Sequence, residues 1–217
     1  PLGTMIILSI VFSTIFGSVR AYPVYILCSL TAWNFFAETT TATMSGMVWG
    51  GDLLKRIYIP RSSFGLAAVG TNLINLFISL FPLTIVMLVS GVPVTASVLF
   101  LPVSILVLAC FTLGFGLILS AVAIYFPDVA DMFKIILTAW LYLTPVIYPE
   151  NIFPANYQFI LRLNPMYYLI KIYRLPLYDG RLPTWAEFWP AAALGFAMLI
   201  IGWIFFTSKS DEFAYRV

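Results

Sequence analysis

The sequence predicts an all-α polytopic membrane protein, and three observations carry that prediction. Hydrophobic residues make up 62% of the 217-residue chain against 9% charged, and mean hydropathy is +1.00. Long apolar runs recur between short polar loops, and prolines and glycines gather where those runs end or bend. A soluble domain carries roughly 25% charged residues, so this deficit places the chain in lipid. A net charge of +2 with no extended Lys/Arg run excludes a nucleic-acid binder. There is no histidine, and Cys28 and Cys110 stand isolated in apolar runs, which leaves no zinc site and no disulfide framework to expect. No phosphate-binding Gly-x-x-x-x-Gly-Lys loop, dinucleotide fingerprint or Gly-x-Ser-x-Gly elbow occurs. Any ATP-driven work must draw its energy, ATP and Mg from another chain.

The elements follow in order. Residues 2–16 are apolar but short of the roughly twenty that cross a bilayer, and predict the distal part of a truncated first span without a signal peptide's charged region. After a loop at 17–23, residues 24–45 predict a second span carrying Trp33, Phe35 and Phe36, then Glu38. An acid inside a span costs a few kcal/mol and marks a functional position by default; its simplest reading is a carboxylate beside a wet pore or paired with a base on another helix. For the three aromatics, packing or an interface belt is the simplest reading. Gly46 and Gly50 have close-approach spacing at a span end, where a turn explains them.

Residues 52–61 hold the densest charge. Lys55, Arg56 and Arg61 mark a cytoplasmic face, while Leu53, Leu54, Ile57 and Tyr58 fall at helical spacing opposite the bases before Pro60, predicting a short amphipathic helix that lies on membrane lipid or docks to a partner. A third span over 62–90 carries Asn72, Asn75 and Ser79 on one face, expected to hydrogen-bond to a neighbouring helix. A fourth, 95–124, is expected to break at Pro102 and loosen at Gly114 and Gly116. Asp128 is placed to cap the next helix, with Asp131 completing a capping box and Lys134 as its ion-pair partner. The fifth span, 133–143, runs into Pro145; from Pro127 the helix is about 27 Å long, just enough to cross.

Residues 145–175 cannot cross again in one piece. Pro145 and Pro149 remove backbone donors and clash with the preceding turn, while Asn164 and Pro165 suit an N-cap and first helical position. Two short re-entrant helices follow, 149–163 and 165–175, the latter with Lys171 and Arg174 on one side. Broken backbone at membrane depth is tolerated only inside protein or along a wet cavity. Asp179 and Gly180 turn the chain, Trp185 and Trp189 suit an interface belt, and 191–206 complete a sixth span. With the 52–61 loop and the tail inside, basic residues divide roughly six to five.

Several of these stretches together carry a family resemblance: the run from Tyr22 to Phe36, residues 53–61, Tyr125-Phe-Pro-Asp-Val129, Leu143-Thr-Pro-Val-Ile-Tyr-Pro149 and Asn164-Pro-Met166. In this order they resemble the permease subunit of type-2 ABC exporters, and within that class the exporters of O-antigen, teichoic acid and capsule. Members usually have Arg where Pro127 stands. The resemblance implies six spans in one permease domain over 1–217, a homodimer, and two ATPase subunits at the cytoplasmic face of a bacterial inner membrane. It assigns ATPase coupling to 52–61 and a periplasmic gate to 145–175, which includes Tyr148, Tyr167 and Tyr168. A lipid-linked glycan as cargo gives Trp33, Phe35, Phe36 and those tyrosines a sugar-contacting role. The alternatives are an ABC permease for a smaller lipid or drug, a membrane transferase with Glu38 as base, and a passive channel. The transferase lacks the general base such chemistry wants, and nothing resembles a selectivity filter.

Overall fold

A computed structural model of the chain describes residues 20–49, 62–150 and 158–213, with Gly3, Ile7 and Val11. All regular structure among the described residues is helical: α1 (Tyr22–Trp49), α2 (Ser62–Val89), a 3-10 turn (Ala96–Phe100) leading into α3 (Leu101–Tyr125), α4 (Val129–Leu143), α5 (Gln158–Leu163), α6 (Pro165–Arg174), a π turn (Leu175–Asp179) and α7 (Trp185–Phe213). Three stretches, Ser62–Val89, Ala96–Tyr125 and Trp185–Lys209, are long and apolar enough to cross a membrane. Helix α4 has 15 residues, about 22 Å of rise. The coupling segment 52–61 lies outside the described residues, as do 151–157 and nearly all of the first apolar run.

Local chemistry explains the ends of these helices. Pro102 does not break a helix. It occupies the first turn of α3, where its missing N–H has no intrahelical partner to lose. Pro82 and Pro190 sit inside continuous α2 and α7. Asp128 precedes α4 without making the expected side-chain cap, because its backbone is already helical rather than extended. Asp131 instead pairs with Lys134 at 2.8 Å on an exposed face. Asn164 does cap α6, accepting from the Met166 amide at 3.1 Å, and Pro165 follows it.

Packing sets the helix directions. Phe36 meets Phe111 and Thr43 lies against Gly116, so α1 and α3 run parallel. Gly195 faces Val107, and Gly114 faces Met198 and Gly202, so α7 runs parallel to both. The first turn of α2 meets the last turns of α1, through Phe64 against Gly46, making α2 antiparallel. The starts of α1, α3 and α7 therefore share one end with residues 144–150 and the π turn. Helix α1 finishes, and α2 begins, at the opposite end.

Two kinds of contact hold the bundle. Rings from three helices interlock, with Phe36 against Phe111, Phe115 and Trp140 at centroid separations of 6.0, 5.7 and 5.3 Å, and Phe115 against Phe133. Glycines join α3 to α7. A Cβ on Gly114 would lie 2.1 Å from the Met198 carbonyl oxygen, and one on Gly202 would lie 2.1 Å from that of Gly114. The expected loosening at Gly114 and Gly116 is replaced by tight packing, since without Cβ atoms the backbones close on each other. On α2 the expected cross-helix bonds are absent among the described residues. Asn72 donates to Ala68 O at 3.0 Å, Asn75 to Asn72 at 3.3 Å, and Ser79 to Asn75 O at 2.8 Å.

Gly114→Leu should force α3 from α7 and abolish a monodisperse, detergent-extracted protein. Gly70→Ala, where an added Cβ meets nothing within 4 Å, should leave the melting temperature unchanged or raised. Size-exclusion profiles and thermal melts of the two variants check this, and equal behaviour would refute the packing argument.

Candidate functional site

The chain leaves α4 at Thr144 and does not regain an α-helix before 158 among the described residues. Prolines at 145 and 149 end the helical ladder, and the freed carbonyls lie within the fold with Pro145, Val146 and Ile147 buried. Each such carbonyl needs a donor. Helix α1 supplies them from its first turn. Tyr22 OH donates to Ile147 O at 2.8 Å, and Tyr25 OH donates to Tyr148 O at 2.9 Å and to Pro145 O at 3.2 Å. Three residues apart on one helix face, the two tyrosines grip successive turns of the broken segment.

Arg174 is the third clamp. It ends α6, and its side chain is 8% exposed. Its guanidinium donates to Pro145 O at 3.3 Å and to Glu150 Oε1 at 3.2 Å, and lies 4.3 Å from the Tyr25 ring centroid. A buried cation is stable only when paired and hydrogen-bonded, and the carboxylate, the carbonyl and the ring meet that need. Glu150 also accepts from Tyr167 OH at 2.8 Å. Burial, and then this bond to a carboxylate, push the Tyr167 phenol upward, so it remains a donor.

Asn164 joins the two ends of the broken segment. Its side-chain oxygen accepts from Trp140 Nε1 at 2.8 Å as well as from the α6 backbone, while its amide donates to Thr144 Oγ1 at 2.8 Å. Helix α6 is seated deep. Met166, Leu169, Ile170, Ile172 and Tyr173 are buried, Ser104 of α3 donates to Ile172 O at 2.9 Å, and Tyr173 meets Thr31, nine residues into α1. The π turn is tied to the 3-10 turn by Ser97 to Pro176 O, and Tyr178 bonds to Arg20 O. At the rim, Lys171 stands between Glu150 and Glu187 at 3.7 and 3.8 Å, while Arg181 holds Glu187 through two 2.8 Å bonds. Those bonds raise Arg181 above its ordinary value.

The structure brings together Pro145, Tyr148, Pro149, Asn164, Pro165, Tyr167 and Tyr168. Tyr148 OH donates to Tyr142 O and Tyr168 OH to Arg162 O. It does not join Trp33, Phe35, Phe36 and Glu38 to them. Trp33 and Phe36 are buried in the ring cluster. Phe35 and Glu38 line a separate cleft between α1 and α2, and Glu38 lies thirteen residues past Tyr25, about 20 Å along the axis. Residues 53–61 of the coupling segment lie outside the described residues. Tyr22, Tyr25, Glu150 and Arg174 have no functional assignment from sequence alone. The available signals were a tyrosine pair at helical spacing and a lone acid just after Pro149.

A family model described as ABC-2 type transporter matches residues 1–178. An O-antigen export system permease protein RfbA of Myxococcus xanthus is 28% identical over 220 residues, spanning 100% of this chain and 85% of that protein. Two proteins of the same description from Klebsiella pneumoniae are similar at 24% identity over 195 residues (89% of this chain, 74% of the relative) and 23% over 162 residues (74% and 62%). With its long apolar helices and a family match across most of its length, the chain belongs to the ABC-2 type transporter family.

Proposed function

We propose that this chain is the transmembrane permease of an ATP-driven exporter of lipid-linked polysaccharide, of O-antigen, teichoic acid or capsule type, working as a homodimer with two ATPase subunits. The observation that carries the reading is the similarity to O-antigen export permeases along the whole chain. The protein is a multi-pass component of the bacterial inner membrane. In this reading the helix run comprises six spans, with α5 and α6 forming the re-entrant pair; the depth at which Tyr173 meets Thr31 supports that placement.

The mechanism is mechanical. Helix α1 has 28 residues, about 42 Å of rigid rod. At one end Tyr22 and Tyr25 hold the carbonyls of the broken segment. At the other, the chain enters residues 52–61, where Lys55 and Arg56 meet the ATPase. A push on that end therefore reaches the gate through one helix, with no flexible joint described between Tyr22 and Trp49. The driving force is the difference in ATP affinity between the two states, which resides in the partner. Pro145, Tyr148, Pro149 and Tyr167 form the gate, and Glu38 lies on the path below it.

Charge reversal at both Lys55 and Arg56 should cost at least tenfold in ATPase co-purification and in surface polysaccharide, measured in a strain lacking its own permease; retention of both would refute the coupling role. Tyr25→Phe removes the donor to Tyr148 O while Pro145 O keeps Arg174, a loss of roughly 1–3 kcal/mol. The assembled complex should keep its ATPase activity while export falls at least fivefold, and proportional loss of both would assign Tyr25 to folding alone.

A further inference from the structure

Midway along the bundle, α1 and α2 part to form a cleft of about 280 Å³, near the lower end of the roughly 300–1,000 Å³ of small-molecule sites. Thr31, Asn34 and Glu38 of α1 face Asn75 and Ser79 of α2 across it. Thr31 and Glu38 lie seven residues apart, as do Asn72 and Ser79, so each wall is two turns of polar side chains at the same face. Thr31, Asn72, Asn75 and Ser79 each have a hydrogen bond within their own helix or to Tyr173, which leaves Glu38 and Asn34 as the groups that packing does not explain. Glu38 is exposed and has no ion-pair partner among the described residues, and the Asn34 amide makes no hydrogen bond among them. A carboxylate on a helix that passes through a membrane costs a few kcal/mol unless it meets water or a ligand.

The composition of the walls selects the ligand. Among the described lining residues there is no Lys or Arg, and an acid is present, so an anionic phosphate or diphosphate headgroup is repelled. Phe35, Leu76 and Ile78 complete the lining, so the cleft is amphipathic, with its polar groups gathered around Glu38 and Asn34. What fits is a neutral group that both donates and accepts. Asn side chains offer both functions, Thr and Ser hydroxyls either, and an ionised Glu accepts from two directions. Sugar hydroxyls have this matching duality, and Ile78, an exposed apolar residue of the same wall, supplies a surface against which a ring's C–H face can rest.

We propose that this cleft is a sugar subsite, holding one ring of the glycan through Glu38, Asn34 and Asn75 while its phosphate-bearing carrier lies elsewhere. The proposal rests on the polysaccharide-export reading and adds to it a binding position about 20 Å along α1 from the Tyr25 clamp. Binding here is to the repeat rather than to the lipid. It would make the permease selective for the sugar it moves.

A Ser79→Cys variant reports on the cleft through its rate of reaction with a charged, water-soluble methanethiosulfonate in proteoliposomes carrying the permease and its ATPase; the parent, with only Cys28 and Cys110, is the blank. The expected result is ready modification, slowed at least fivefold by polyprenyl-diphosphate-linked O-polysaccharide but not by polyprenyl phosphate, with protection lost on Glu38→Gln. An unreactive cysteine, protection by the sugar-free carrier, or no protection by the glycan-bearing one would each overturn the subsite. If Ser79→Cys fails to assemble, Ile78→Cys, on the same wall but outside the proposed contacts, answers the same question. Export by the parent proteoliposomes is scored separately: a protected cleft without glycan export counts against the transport reading, and glycan export with an unprotected cleft counts against the subsite alone.

Discussion

Three backbone carbonyls, those of Pro145, Ile147 and Tyr148, are the constraint on which the rest of this structure depends. Two prolines four residues apart forbid a helix there, and an apolar bundle offers no solvent to satisfy what the helix would have satisfied. The donors must come from side chains long enough to reach across from another element. Tyrosine and arginine qualify, and both appear. Tyr22 and Tyr25 fix where α1 begins, Arg174 fixes where α6 ends, and Glu150 is required beside Arg174 because a lone buried cation is untenable. The positions of α1, α6 and the break are therefore one solution to one hydrogen-bonding problem.

Beneath this polar end the bundle changes its chemistry. Around Phe36 the contacts are ring edges and faces between α1, α3 and α4, while α3 and α7 meet backbone to backbone at Gly114 and Gly202. Lipid supplies little hydrophobic drive for helices to associate, so close approach and interlocking shape have to do it. Helix α3 takes part in both. With rings on one side and glycines on the other, it serves as the axis about which the remaining helices are arranged.

The fold class was legible in the sequence because hydropathy is a property of composition, and the α6 cap was legible because Asn-Pro is a local signal with a local cause. What could not be read were relations across the chain. Nothing at Tyr25 says that its partner lies 120 residues away at Pro145. Trp33 and Phe36 have the same side-chain types in a core as in a sugar channel, and only their neighbours, Trp140 and Phe115, place them in the core. Asn72 and Asn75 bond along α2 because an amide three or four residues from a carbonyl finds it without help from another helix. Asp128 fails as a cap for a similar reason: the chain is already coiled before it.

Relative bond strengths show how the broken segment can move. Its ties to α1 and α6 are mostly buried: two tyrosine hydroxyls, and a guanidinium that is 8% exposed beside a Glu150 carboxylate that is 32% exposed, so losing one partner of that pair costs less than the roughly 3–5 kcal/mol of a fully buried one. The ion pair that joins this assembly to α7 is Lys171 with Glu187, at 3.8 Å and partly exposed, a class worth about 0–1 kcal/mol. The weak joint is thus the rim beside Trp185, not the grip on α1. Helix α1 is in turn interlocked with α3 through Phe36, Phe111 and Phe115, and α3 with α7 through the glycine contacts. An opening that began by freeing residues 145–150 from α1 would have to break the strongest bonds in the site before the weakest, so in the proposed export cycle the segment stays with α1.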